Sequence, residues 1–186
     1  ITQDVDVKPQ PTADFLVSDV CVGEEANFDY TGNNPATSYS WDLATTTSTM
    51  ENPAVTYDQP GSYDVSLTVN YYDGECVKDT TQTVAVNPVP TADFAFGTEG
   101  AVCAGEEVQF VNNTTFENGD ANTLTYDWAV GSTGLSGESP VFPFDNEGTF
   151  DVELTARSTE GCESTFSLTK VVNPLPVSDF TLDKVG

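Results

Sequence analysis

"YDVSLTVNY", residues 63–71, alternates without a break, placing Tyr63, Val65, Leu67, Val69 and Tyr71 on one side and polar residues on the other. A period of two is the signature of a strand with one buried face. The same phrase returns as "FDVELTA", residues 150–156, with Phe150, Val152, Leu154 and Ala156 on the apolar side. Working outward from the two copies, fixed points line up: Phe15 with Phe94, Cys21 with Cys103, Phe28 with Phe110, Trp41 with Trp128, Gly61 with Gly148, Cys76 with Cys162, and Pro88 with Pro174. One unit is written twice.

The second copy is longer where Gly, Asn, Asp and Thr collect. Three extra residues lie between its Phe and Cys, around "GTEGAV", and five between its Cys and Trp, around "FENGDANTL". Length stays fixed across the alternating runs, as expected where a slip of one residue would turn a buried face outward. Further alternation in "SYSWDL" and "LTYDWAV", and shorter runs such as "ANFDY", "VQFV", "TQTVAV" and "SLTKVV", complete the set of strands. No helical run stands out. The spacing predicts an all-β fold in which each unit is a sandwich of two antiparallel sheets with about seven strands. Trp41, Trp128, Phe28, Phe110, Tyr63 and Phe150 are its expected core. A Trp that stacks on carbohydrate is the alternative for Trp41 and Trp128.

Between units the chain reads "KPQPTADF" at 8–15, "NPVPTADF" at 87–94 and "NPLPVSDF" at 173–180. Proline fixes φ and cannot donate to a ladder, so Pro9, Pro11, Pro88, Pro90, Pro174 and Pro176 mark stiff extended seams. The expected organisation is residues 1–8 as the last strand of a preceding repeat, 9–88 and 89–174 as two whole domains, and 175–186 as the start of a following repeat.

Each unit carries two cysteines, placed alike. Four cysteines allow three pairings. Cys21 with Cys76 and Cys103 with Cys162 is the set that keeps each repeat self-contained, and it is the expected one. In a chain-entropy view such a bridge contributes about 4 kcal/mol. It would also shield the loop between its ends from tension, and it implies an oxidising compartment.

Thirty Asp and Glu against five Lys and Arg give a net charge of -25. That charge disfavours nucleic acid and anionic membrane surfaces as partners. No stretch approaches the ~20 apolar residues that cross a bilayer. The chain has no His, so neither a Ser/His/Asp nor a Cys/His arrangement can form. No phosphate loop or EF-hand spacing is present. Acidic turns recur at matching positions, "GEEAN" and "GEEVQ", and their plain reading is a solvated surface. The alternative is calcium at a seam, from Asp14, Asp93, Glu24 and Glu106, whose all-oxygen donors suit that ion. "NNTT" overlaps two glycosylation sequons at Asn112 and Asn113, read here as a polar strand end.

"NPAVTYDQPGSYDVSLTV", residues 52–69, and more loosely "SPVFPFDNEGTFDVELTA", residues 139–156, resemble the polycystic-kidney-disease (PKD) repeat. The resemblance covers both units and implies tandem immunoglobulin-like sandwiches of the kind strung along bacterial and archaeal surface proteins or beside secreted hydrolases. The chain departs from the family's Trp-Asp-Phe-Gly-Asp-Gly turn: Trp41 and Asp42 are followed by Leu43, Ala44 and Thr45, and Trp128 by Ala129, Val130 and Gly131. Of the turn aspartates through which some family members bind calcium, the first unit keeps Asp42 alone, so the resemblance does not carry that site over. Paired cysteines, Asn-Pro-x-Pro seams and acidity resemble the repeats of large adhesins of gliding bacteria.

The expected function is structural and non-catalytic: a segment of a long extracellular or cell-surface array, in a stalk, adhesin or filament, that spaces or presents other modules. Its expected partners are neighbouring repeats of the same chain and other copies joined head to tail. The alternative is a module that binds polysaccharide or protein through a contiguous aromatic patch, for which Tyr72, Phe96 and Phe116 are the off-register candidates.

Overall fold

A computed structural model of the chain describes residues 7, 10–32 and 36–179. The chain divides into two compact units, Ile1–Pro88 and Val89–Gly186. Pro9 and most of the two expected partial repeats, including Ile1–Asp6 and 180–186, lie outside the described residues.

In the first module the strands are β1 (Phe15–Leu16), β2 (Val20–Cys21), β3 (Glu25–Asn27), β4 (Asp29–Tyr30), β5 (Ser38–Asp42), β6 (Thr47–Ser48), β7 (Ala54–Thr56), β8 (Gly61–Tyr71) and β9 (Cys76–Asn87). One face is a five-stranded sheet in the order β2-β9-β8-β5-β6, and the other is formed by the pairs β1-β4 and β3-β7. The second module has β10 (Phe94–Phe96), β11 (Val102–Cys103), β12 (Glu106–Asn112), β13 (Thr125–Val130), β14 (Thr133–Ser136), β15 (Val141–Phe144), β16 (Gly148–Arg157) and β17 (Glu163–Asn173). Its sheets run β11-β17-β16-β13-β14 and β10-β12-β15. This is the expected sandwich. The two-residue strands β2 and β11 leave no mark in the sequence, and each runs parallel to the end of the last long strand, with Cys21 opposite Asn87 and Cys103 opposite Asn173.

The alternation seen in the sequence is the alternation of burial. Val65, Leu67, Val69 and Tyr71 of β8 are buried while their neighbours are not. Trp41 is 1% exposed and Trp128 2%, so neither is a surface platform for sugar. Each indole still satisfies its N–H, donating to the Met50 carbonyl at 2.9 Å and to the Gly137 carbonyl at 2.9 Å. Phe28 and Phe110 are fully buried beside them. Tyr63 and Phe150 pack at the edge of each core and remain half-buried, because they lie near the start of their strands, over Tyr57 and Phe144.

The phenylalanine of each "ADF" phrase enters the core. Phe15 and Phe94 are buried and meet the tryptophans edge-on, with ring centroids 5.0 Å and 4.9 Å apart. Such contacts add about 0.5–1.5 kcal/mol each beyond the area they bury. The segments that lead to them are also held. Tyr71 donates its hydroxyl to the Thr12 carbonyl at 2.8 Å, and the Ala92 N–H donates to Ser164 Oγ at 2.9 Å. Gly32 is required beside the first of these contacts, since a Cβ there would collide with the Tyr30 hydroxyl and the Thr12 carbonyl.

One core position differs in kind. Val84 of β9 is fully buried, and the equivalent residue of β17 is Lys170, 2% exposed. Its Nζ donates to the carbonyls of Thr98 at 2.6 Å and Gly100 at 2.8 Å and lies 4.8 Å from the centre of the Phe96 ring. Burial holds the ammonium below the ordinary lysine range, and Glu106 pulls the other way. The three residues inserted before Cys103 supply the loop that carries those carbonyls.

Two predictions follow from these cores. Lys170→Ala strands two inward carbonyls and opens a cavity, and should lower the stability of the second module by about 2–4 kcal/mol, with Lys170→Met costing about half as much. Urea unfolding followed by Trp128 fluorescence in a Trp41→Phe background reads this module alone. Under alkali the first module should fail first. Burial holds the phenols of Tyr30, Tyr39 and Tyr57 above the ordinary tyrosine range, helped by Tyr71 and Glu51 beside Tyr30 and Tyr39 and by Tyr63 beside Tyr57. Their contribution to stability is full below about pH 10, where the unfolded phenol titrates, and is lost as pH rises toward the folded values. Lys170 has the opposite sign, because the penalty for burying its charge is relieved as pH rises through its lowered folded value. Trp41 fluorescence in Trp128→Phe, compared with Trp128 fluorescence in Trp41→Phe, gives the order of unfolding.

Candidate functional site

The long hairpins β8/β9 and β16/β17 give every module two poles. Strand β9 begins at Cys76, opposite Tyr71, and ends at Asn87, where the chain leaves the module. The Tyr71 bond to Thr12 puts the incoming chain at the Cys76 end. Cys76 therefore sits at the entry pole. At the other end the Val22 N–H donates to the Asn87 carbonyl at 3.0 Å, so Cys21 sits at the exit pole.

The second module repeats the arrangement. Cys162 lies in the turn before β17, where the Ser158 N–H donates to its carbonyl at 2.9 Å and its own N–H reaches Ser158 Oγ at 3.3 Å. Ser164, two residues on, holds the incoming Ala92. At the exit pole the Ala104 N–H donates to the Asn173 carbonyl at 2.9 Å, beside Cys103. Each exit cysteine opens a tight turn whose Gly23 or Gly105 takes φ of 84° or 87°, which accounts for the repeated Cys-x-Gly-Glu-Glu phrase.

This geometry overturns the expected bridges within each repeat. Strand β9 has 12 residues, which at about 3.3 Å per residue separates Cys76 from the neighbourhood of Cys21 by about 36 Å. A disulfide needs Cα atoms within about 7 Å. Cys162 and Cys103 are held apart in the same way by the 11 residues of β17. Accordingly Cys76 and Cys103 are free thiols, each half-exposed, whereas Cys21 and Cys162 are disulfide-bonded. The shielding of an internal loop from tension falls with the pairing.

Asp14, Asp93, Glu24 and Glu106 are each occupied or placed separately. Asp14 Oδ1 accepts from the Phe15 N–H at 2.9 Å and from Gln82 Nε2 at 3.2 Å, and Glu24 Oε2 accepts from the Cys21 N–H at 3.0 Å. Asp93 contributes its backbone carbonyl to the Asn113 N–H, and Glu106 begins β12 opposite Phe144. Among the described residues no group of three or more His, Cys, Asp or Glu is placed to hold a metal ion. Asn112 caps its strand end, its Oδ1 accepting from the Thr114 N–H at 2.9 Å.

Nor do the off-register aromatics form a patch. Tyr72, Phe96 and Phe116 are all half-buried. Phe96 packs on Phe94 and Phe110 under Lys170, and Phe116 lies over Gly119. The large exposed hydrophobic residues among those described are aliphatic, such as Leu16, Met50, Val77 and Val141. The second module carries an open cleft of about 510 Å³ beside the β13/β14 hairpin, lined by Leu124, Tyr126, Asp127 and Glu138 among others.

Two successive sandwiches with a parallel β2-β9 or β11-β17 edge define tandem immunoglobulin-like modules. Residues 8–86 and 87–173 each match the PKD domain, and the chain belongs to that family. It is 29% identical over 121 residues to a microbial collagenase of Vibrio alginolyticus, a match that takes in 63% of this chain and 14% of the collagenase. The PKD1 domain of Vibrio anguillarum Epp aligns at 26% identity over 47% of this chain and 96% of that domain, with a TM-score of 0.40. The PKD1 domain of the Vibrio cholerae metalloprotease PrtV aligns at 23% identity over 46% and 98%, with a TM-score of 0.39.

The cysteine geometry has a direct chemical readout. Denatured without reductant, the chain should react with a thiol reagent at two cysteines, and peptide mapping should find the label on Cys76 and Cys103. Bridges within each repeat would leave none to react.

Proposed function

We propose that this chain is a non-catalytic spacer segment of an extracellular or cell-surface array, carrying length and tension between other modules. The observation that carries the reading is the path of the chain: each module takes it in at one pole, anchors it through Phe15 or Phe94, and releases it at the opposite pole after Asn87 or Asn173. Because β2 and β11 run parallel to the closing strands, tension between the ends of a module loads that edge along its length, where its hydrogen bonds share the load. Aromatic side chains are spent on the cores, which leaves little from which to build a sugar or peptide platform. Disulfide-bonded Cys21 and Cys162 suit an oxidising compartment, and the net charge of -25 favours a solvated, mutually repelling surface.

The reading is tested on the purified chain in two ways. Cellulose, chitin and collagen should each bind more weakly than about 1 mM, and a Kd below about 10 μM for any of them would replace the spacer with a binding module. In single-molecule pulling under reductant, two unfolding events should appear. Ala104→Pro, which removes the N–H bonded to Asn173, should lower the force of one event and leave the other unchanged. Equal forces in the variant and the parent would show that the parallel edge bears no load.

A further inference from the structure

In the second module one edge of the five-stranded sheet is only partly covered. Strand β13 runs Thr125–Val130, but β14 pairs with it only from Val130 opposite Thr133 to Asp127 opposite Ser136. The parity of the ladder tells what lies beyond. The Gly131 N–H donates to the Asp151 carbonyl at 3.3 Å. Ala129, Asp127 and Thr125 therefore turn their backbone groups toward β16, while Val130, Trp128 and Tyr126 turn theirs toward β14. The next residue due on that side, Gly137, is withdrawn from the ladder: it takes φ of 109° and its carbonyl accepts from the Trp128 indole at 2.9 Å. The core tryptophan thus ends β14, and among the described residues no strand stands opposite the Tyr126 N–H and C=O. Tyr126 and Gly137 both line the cleft of about 510 Å³, which falls in the size range of ligand pockets. Asn122 and Leu124, also on its lining, come from the stretch in which the second module is longer than the first. Its charged residues are Asp127 and Glu138, both exposed and without a hydrogen-bond or ion-pair partner among the described residues. In the first module the counterparts are engaged: the Tyr39 ring packs 5.1 Å from that of Tyr30, and Glu51 lies beside the Tyr39 phenol.

We propose that this cleft docks an extended, basic peptide segment of a partner protein, which adds a short strand to the open edge of β13. The backbone selects a peptide, because one residue of an extended chain supplies both the acceptor and the donor that Tyr126 lacks. The charge selects its side chains. The peptide residue next to the one paired with Tyr126 falls opposite Thr125 on the outer face, diagonal to Asp127, where a Lys or Arg side chain reaches the carboxylates. A second copy of this chain is a poor occupant, since it brings a net charge of -25 to an acidic cleft. No aromatic platform is needed: main-chain bonds hold the peptide and the carboxylates choose it. The site lies within one module and adds to the spacer reading without resting on it.

The probe is a hexapeptide of alternating Val and Lys, blocked at both ends and titrated into the ¹⁵N-labelled chain while amide chemical shifts are followed. It should bind with a Kd of about 10–100 μM, with the largest shift at the Tyr126 amide and none at Tyr39. Methylating the peptide's backbone nitrogens, or replacing its Lys by Glu, should abolish binding. The double variant Asp127→Asn, Glu138→Gln should bind the Lys peptide at least about tenfold more weakly. Both positions are exposed, so the variant keeps the fold, which the Trp128 indole signal verifies. No shift at Tyr126 with about 1 mM peptide, equal binding of the methylated or Glu peptide, or undiminished affinity in the double variant would overturn the proposal. So would Tyr126 shifts produced by cellohexaose and not by the peptide, which would give the cleft to sugar, or produced by raising the chain's own concentration, which would give it to a second copy. Each of these outcomes leaves the load-bearing reading, measured by pulling, where it stands.

Discussion

The ladder between the last two strands of each module is the constraint on which the rest depends. From Gly61 opposite Val86 to Tyr71 opposite Cys76, every residue of β8 faces one of β9, and β16 and β17 repeat this from Gly148–Val172 to Arg157–Glu163. The ladder fixes the length of a module, and so it fixes the distance between anything at its two ends. A cross-link between its ends is impossible, and a load applied at them is transmitted along it. The apolar face that holds it in register contains Val65, Leu67 and Val69 in one module and Val152, Leu154 and Ala156 in the other, all fully buried. A slip of one residue would expose all of them together.

The seams are built on the same core. Phe15 and Phe94 belong to the linker phrase in sequence but to the sandwich in space, where they touch Trp41 and Trp128. Pro11 and Pro90, just upstream, are buried as well. A linker docked by an aromatic plug cannot swing freely at its downstream end, since undocking it would expose the largest side chains of the core. The downstream end of each seam is held by packing as well as by the fixed φ of proline.

Much of this was legible in the sequence, because alternation and internal repetition both report burial. The two long strands, the tryptophans between the sheets and the seam positions can be placed by counting. That a repeat's two cysteines stand too far apart to bridge could not be seen by treating each repeat as a closed unit. Half of the necessary signal was present: Cys76 stands at the start of an alternating run that ends at Asn87, so its pole could have been read. The other half was absent, since β2 and β11 are two residues long and pair through their backbones. Strands that short leave no periodicity to find. Lys170 was hidden for a related reason. It stands in register between Leu168 and Val172, and a lysine in such a place reads as a strand edge unless the inserted loop before Cys103 is recognised as its source of carbonyls.

The two modules also differ in instructive places. They share the tryptophan, the buried phenylalanines, the left-handed glycine after the exit cysteine and the cysteine at each pole. They diverge in the loops around 97–102 and 116–124, and the second replaces a buried valine with a lysine that its own longer loop satisfies. A repeat whose work was recognition through a face or loop would have to keep that face alike in both copies, or be a binding module in one and a spacer in the other. Here the retained features are those that close the sandwich and those that stand at its ends. Ends are where the chain enters and leaves a module, so the common chemistry of the repeat is concentrated along the path of the chain.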